Sequence, residues 1–460
     1  MIRVALCLMA AALCASPRLF AQASMQTIFT NGPTSNRLNI VVLSEGYTSA
    51  QLPQFSLDAS NAVRVLLSHP PYLEYSNYAN AFAIKVASVE SGSDHPAYNI
   101  TRNTYFSSTY DAYWDYYITI PSGITGQGRV DALLQTYMPK CQLAILLVND
   151  LTQGGSDGLD KTAIASISAM AAEVPPSPPG IMTHETAHVL ANLGDEYSDA
   201  YAFPDIEEPN TTQQTSRSLI KWKAWIDPGT PVPTPPYYGE GVVGLFEGAH
   251  YHTNGWYRPE LNCAMASSGV RFCAVCSEAL VLAIYQKVRP VDAFAPANTN
   301  LSVTTNQALN FSVTRLQPAT HNLSVQWFTN GVAWSGATNP SVTFLPQILP
   351  NGTNRLSALV QDNTALVRTD PTNLLSQTVT WTINQSIPQL RLDSPRCLAG
   401  GKFAFRVSGT APQGFSIWGS TNLANWVSLS TNSLVAGQFW YTNTGAASLG
   451  KRFYRVVTPP

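Results

Sequence analysis

Short apolar runs alternate with helically spaced apolar positions along the first third of the chain. Asn39-Ile40-Val41-Val42-Leu43 is a brief apolar run ending at Ser44-Glu45-Gly46-Tyr47, and residues 54–68 then repeat apolar positions at helical spacing. Phe82-Ala83-Ile84-Lys85-Val86-Ala87-Ser88-Val89 and Gln142-Leu143-Ala144-Ile145-Leu146-Leu147-Val148-Asn149 read as further buried strands. Strand, helix, strand predicts an α/β layer. Residues 173–180, Glu-Val-Pro-Pro-Ser-Pro-Pro-Gly, cannot be helical, because proline lacks the N–H and fixes φ. A helix is expected directly after this stiff loop.

Beyond residue 295 the pattern changes to short alternating runs split by turn residues. Asn310–Leu316, Leu323–Thr329, Ser341–Leu345, Arg355–Gln361 and Thr378–Asn384 are strand candidates, and Asn330-Gly331 is a two-residue hairpin signal. Such strand density over residues 295–386 fits an immunoglobulin-like sandwich. A second β-rich unit is expected from about 387, through Gly401–Ser408, Phe415–Trp418, Trp426–Ser430, Phe439–Thr442 and Arg452–Val457.

The chain has 460 residues, too many for one compact domain, and at 45% hydrophobic it buries real cores rather than staying disordered. Only 12% of residues are charged and the net charge is −2, so there is no nucleic-acid signature. Residues 1–290 hold 16 basic and 24 acidic side chains, whereas 291–460 hold 10 and 4. That shift marks a domain boundary near 290.

At the N-terminus, Arg3 precedes an apolar run from Val4 to Ala15, and Ala21-Gln22-Ala23 follows before Ser24. This describes a secretory signal peptide over residues 1–23, too short to span a membrane. The expected location is secreted, periplasmic or extracellular. Without the leader's two cysteines, Cys141, Cys263, Cys273, Cys276 and Cys397 remain. In an oxidising compartment the first reading is a disulfide joining Cys263 to Cys273 or Cys276, with at least one thiol left free and buried. Cys273-Ala274-Val275-Cys276 also has the spacing of half a structural zinc site, the weaker reading with one more cysteine nearby.

The chemistry concentrates in His184-Glu185-Thr186-Ala187-His188. On a helix both imidazoles lie about 40° apart on one face, one turn apart, where they can grip one zinc ion. Glu185 can reach a water at the ion and take its proton. Apolar Ile181, Met182, Val189, Leu190 and Leu193 argue that the segment is buried rather than a solvated helix. If the helix ran on, Asp195 would lie about 16 Å along the axis from His184, so the chain must turn back soon after His188. Asn192 and Gly194 are the residues able to take positive φ there. Asp195 is the first candidate third ligand, Glu196 the second, with His250 and His252 as rivals.

His184–His188 followed by Leu193-Gly194-Asp195-Glu196-Tyr197 resembles the IgA-peptidase family of zinc metalloendopeptidases. The resemblance extends over Leu38–Tyr47, Asn149 with Gly154-Gly155, Glu208-Pro209-Asn210, Lys221-Trp222, Phe246-Glu247-Gly248, Gly255-Trp256-Tyr257-Arg258-Pro259, Cys263-Ala264-Met265 and Phe272-Cys273-Ala274-Val275-Cys276. It implies His184, His188 and Asp195 as zinc ligands, Glu185 as catalytic acid/base, Met265 as the floor of the site and Tyr257 as oxyanion stabiliser. It departs at Ala191, where relatives often carry glycine.

The expected protein is therefore multidomain. An α/β (α+β) zincin-type metallopeptidase domain at 24–292 is followed by an Ig-like β-sandwich at 293–386 and a small β domain at 387–460. The expected activity is zinc-dependent hydrolysis of protein or peptide substrates, with no membrane span. The β domains are expected to hold the enzyme on a polymer, a cell surface or its substrate. The alternative is a non-catalytic adhesin with a structural zinc; action on cell-wall peptides would share the chemistry. Asp205, Glu207 and Glu208 read as a solvated loop rather than a calcium site.

Overall fold

A computed structural model describes residues 23–158, 161–199, 204–303, 308–345, 352–385, 390–409 and 414–458. The expected leader, with Cys7 and Cys14, lies outside the described residues except for Ala23. Contacts divide the chain into two compact units. The first comprises Met1–Ala293, Thr314–Val325 and Leu359–Gln377, and the second Phe294–Val313, Gln326–Ala358 and Thr378–Pro460.

The strands of the first unit are, in chain order, β1 (Ser24–Phe29), β2 (Leu38–Glu45), β3 (Ala79–Lys85), the short pair β4 (Thr109–Tyr110) and β5 (Ile118–Thr119), β6 (Leu143–Val148), β7 (Gly155–Ser156), β8 (Thr162–Ser166), β9 (Phe246–Ala249) and β10 (His252–Arg258). Six form one sheet in the order β1-β3-β2-β6-β8-β7. Its four inner strands are parallel and its two edges antiparallel. The helices are α1 (Leu52–Leu66), α2 (Gln127–Tyr137), α3 (Ile167–Ala172), α4 (Ile181–Ala191) and α5 (Ala274–Tyr285).

Strand alternation explains why the inner strands read as continuous apolar runs. Ile40 and Val42 face one core with Leu143, Ile145 and Leu147, whereas Val41 and Leu43 face the other with Ala144, Leu146 and Val148. A parallel sheet covered on both faces needs apolar side chains at every position. The first core is closed by α1, α4 and α5, and α2 contributes Val130 and Leu133 to the second.

Helix α4 starts where the proline-rich loop ends, and no side chain of its N-cap Gly180 caps it. The buried Glu173 does so from the other end of the loop. Its carboxylate accepts from Met182 N at 2.6 Å and Thr183 N at 3.2 Å. The first amides of a helix have no partner within it, and a carboxylate there also complements the helix dipole. The helix ends at Asn192, which takes the left-handed conformation at φ 51° and bonds its N–H to His188 O at 2.9 Å. Helical Ala191 needs no glycine, because the turn falls one residue later. Gly194 does not take positive φ; a Cβ there would stand 2.5 Å from Glu208 Oε2, so what it supplies is space.

The expected disulfide is not formed: Cys263, Cys273 and Cys276 are free and buried. Cys263 Sγ lies 3.7 Å from Cys276 Sγ, well beyond a disulfide bond of about 2.0 Å. Three sulfurs share one buried point, so spacing alone could not select a pair. Cys141 is also free and buried, and Cys397 is exposed.

In the second unit the strands form sheets of three and five, whose shared core brings Phe311 within 5.1 Å of Trp381, stacked on Trp327 at 5.7 Å. Asn330 and Gly331 both take positive φ between the paired Thr329 and Val332, the geometry expected of a two-residue hairpin. The last strands make two three-stranded sheets around Phe405, Val407, Phe415 and Ile417. Among the described residues no helix is long and apolar enough to cross a membrane.

Candidate metal centre

Helical spacing puts His184 and His188 on one face of α4, and their Nε2 atoms stand 2.9 Å apart. Each Nδ1 faces a carbonyl oxygen: Ala264 O at 2.7 Å for His184 and Leu193 O at 2.6 Å for His188. A carbonyl only accepts, so each ring donates from Nδ1, and a neutral ring so held would offer its lone pair at Nε2. The turn after Asn192 brings in Asp195, whose Oδ1 lies 3.1 Å from His184 Nε2 and 3.3 Å from His188 Nε2. This buried oxygen faces the two imidazole nitrogens. Two imidazole nitrogens and a carboxylate oxygen thus converge on one point.

A tetrahedral zinc ion with bonds of about 2.0–2.1 Å separates its ligand atoms by about 3.3 Å. The Asp195 separations of 3.1 and 3.3 Å match such an ion, and the imidazole pair at 2.9 Å stands slightly closer. Electrostatics point the same way. Burial would raise Asp195, but the fields of His188 and His184 outweigh it and hold the carboxyl far below the usual carboxylate range. Burial disfavours a charged His188, yet Asp195 and Glu185 raise it to about 10. The pocket selects positive charge.

The Asp195 carboxylate is oriented by its second oxygen, which accepts from the Tyr251 hydroxyl. Tyr251 reaches it from the tip of the β9–β10 hairpin, where His250 and Tyr251 take φ of 50° and 64°. His250 N also donates to Asp195 O at 2.9 Å. Asn210 braces the same turn, accepting from Gly194 N at 2.7 Å and donating to Gly194 O at 2.8 Å. From below, Met265 O accepts from Glu196 N at 2.8 Å.

Glu185 is half-buried next to the pair. Desolvation raises it to about 7, with the two imidazoles pulling down and Asp195 pushing up. Edge strand β7 passes close by: a Cβ on Gly155 would lie 3.2 Å from Glu185 Cγ and 2.5 Å from Ile181 Cγ2. Beyond β7, Tyr116 O accepts from Gly155 N at 3.2 Å, which joins the 111–117 loop to the site. Burial would raise Asp111, but four backbone donors, from Trp114, Tyr116, Tyr117 and Tyr113, hold it down to about 2 and fix this loop. Tyr116 and Tyr117 both feel the charge of Glu185, and both are about half exposed.

Of the residues singled out in the sequence, the structure brings together His184, Glu185, His188 and Asp195. Glu196 points away, toward the cysteines. His250 stacks on Trp256 at 4.1 Å with its Nδ1 3.1 Å from Glu208, and His252 bonds His250 O, so neither joins the cluster. Tyr257 stands apart: its side chain is buried in the core, its backbone pairs with Thr212, and the carboxylate acting on it is Glu247. The phenols beside the cluster are Tyr251, Tyr197, Tyr116 and Tyr117. The aromatic run Tyr110–Tyr117 was the available sequence signal for the last two. A cavity lined by Leu190, Lys221, Trp222, Glu278 and Leu282 contains none of the cluster residues.

The α/β sheet, with a helix carrying this cluster, defines a metallopeptidase-like domain. The chain belongs to the family described as IgA Peptidase M64, which matches residues 27–241 and 238–284, more than half of its length. Membership makes it a peptidase by family, with protein or peptide as substrate. No curated protein matches the chain. Among solved structures, the fibronectin(III)-like modules of Clostridium thermocellum CbhA share 8% identity, cover 32% of this chain and 77% of their own, and give a TM-score of 0.16. A chaperone–tip adhesin complex of CFA/I fimbriae shares 11%, covers 36% and 92%, and gives 0.15. Neither score bears on the fold.

Proposed function

We propose that this chain is an exported zincin-type zinc endopeptidase in which His184, His188 and Asp195 hold the metal and Glu185 is the general base and acid. The observation that carries the reading is the convergence of two Nε2 atoms and a buried carboxylate oxygen on one point beside Glu185. When bound, zinc supplies Lewis-acid polarisation of a carbonyl and brings a water's pKa to about 7.

The protein's own groups do the rest. Glu185 takes the proton of the attacking water and passes it to the leaving amine. Ala264 O and Leu193 O keep both imidazoles in the tautomer that offers Nε2. Burial, with the charge of Glu185 at Tyr116 and of Asp157 and Glu185 at Tyr117, keeps both phenols protonated, so each can donate to a substrate oxygen. Tyr113 and Trp114 are 90% and 71% exposed on the loop that Asp111 holds rigid, a ready surface for a peptide. Residues 1–23 support export.

The test is cleavage of unfolded casein by the purified chain. Cleavage should stop with a zinc chelator and return on adding zinc. Chelator-resistant cleavage, or none in zinc-loaded protein, would overturn the proposal.

A further inference from the structure

We propose a second metal site in this chain, a structural zinc ion held by Cys263, Cys273, Cys276 and Glu196. It is distinct from the His184 cluster and does not depend on the peptidase mechanism.

All four residues are buried, and one ligand atom from each lies within 4.8 Å of all the others. They come from three segments: the turn after α4, the loop before Met265, and the start of α5. A tetrahedral ion bonded to sulfur at about 2.3 Å separates its sulfurs by about 3.8 Å. Cys263 Sγ and Cys276 Sγ are 3.7 Å apart. That is the separation expected of two thiolates on one zinc.

The carboxylate is the independent observation. Glu196 is fully buried; its Oε1 accepts from Asn210 Nδ2 at 2.9 Å and stands 3.0 Å from Cys276 Sγ, and its Oε2 has no partner. Nη1 of Arg258 serves backbone oxygens of Glu196 and Gly248. A buried carboxylate with an empty oxygen beside three sulfurs is a donor set suited to a cation. A disulfide would join two sulfurs and leave the third thiol and the carboxylate as they are.

The backbone is arranged for thiolates as well. Cys273 N donates to Cys263 Sγ at 3.3 Å, and Cys276 N donates to Cys273 Sγ at 3.4 Å. Cys273 is the N-cap of α5, so the positive end of a twelve-residue helix faces the sulfurs. Three thiolates favour zinc over magnesium or calcium, and four protein ligands leave no open position, which makes the site structural.

Its place explains its use. Glu196 follows Asp195 directly, and Cys263 precedes Ala264, whose carbonyl orients His184. The ion would tie the Asp195 turn to the floor beneath the first site.

The test is the metal content of the purified full chain by plasma mass spectrometry, with the zinc-edge X-ray absorption spectrum of the His184→Ala/His188→Ala variant. That variant should keep one zinc, with a sulfur shell at about 2.3 Å, released by a mercurial reagent. A Cys273→Ser/Cys276→Ser variant should lose it; if that variant fails to fold, the histidine variant still carries the test. A histidine variant without zinc, with only nitrogen and oxygen around zinc, or lighter by two hydrogens through a disulfide among these cysteines, would overturn the proposal. Wild-type protein with one zinc that the histidine variant also keeps would support this site and count against the first.

Discussion

Asp195 divides its work between two oxygens: Oδ1 faces the two imidazoles, and Oδ2 takes the Tyr251 hydroxyl. Tyr251→Phe removes that donor while leaving the ring, so metal affinity should fall by about 10–100-fold. Isothermal titration of the metal-free protein with zinc would measure it, and unchanged affinity would refute the role. Asp111 works on the substrate side. Asp111→Ala frees the Tyr113–Tyr117 loop and should raise KM more than it lowers kcat, which initial rates on a fluorogenic peptide would separate. At this scale the sequence was legible where chemistry is local. His184, Glu185 and His188 share one turn, and Asp195 follows a turn that Asn192 can make. Tyr251 lies 56 residues from Asp195 and meets it only through the β9–β10 hairpin, which local spacing does not reveal. The charge acting on Tyr257 is that of Glu247, which its place in a motif does not show.

The element that matters is α4, and its stability comes from outside it. Glu173 substitutes for the side-chain cap that Gly180 lacks. Glu173→Ala should leave buried amides of Met182 and Thr183 without a partner and cost about 1–3 kcal/mol, read as a lower Tm. An unchanged Tm would show that water replaces the carboxylate. The proline-rich loop and the helix after it were legible, because prolines forbid one structure and apolar neighbours demand another. The capping by Glu173 was not, since it needs the loop's actual path. The cysteines at the start of α5 mark the same limit. Their spacing allowed a disulfide or half a metal site, and only the approach of Glu196 from another segment separates the two.

For the whole molecule, the first compact unit takes in Thr314–Val325 and Leu359–Gln377 as well as the chain up to Ala293. The link is chemical: buried Asp362 accepts from Tyr75 at 2.9 Å and Tyr285 at 2.7 Å, and His321 Nε2 stands 2.9 Å from its other oxygen. Asp362→Ala should strand two buried hydroxyls and lower stability by about 2–4 kcal/mol in denaturant unfolding. A chain ending at residue 292 should be less stable than the full one. The change in charge near 290 and the alternating runs beyond it suggest a boundary there, but not that Thr314–Val325 and Leu359–Gln377 belong to the first unit. The central claim is that the metal-bearing helix also supplies the base. Its most direct test is kcat/KM for Glu185→Gln loaded with zinc to the wild-type content. The account expects a fall of about 10²–10⁴-fold at unchanged metal binding. Wild-type turnover by that variant would contradict it.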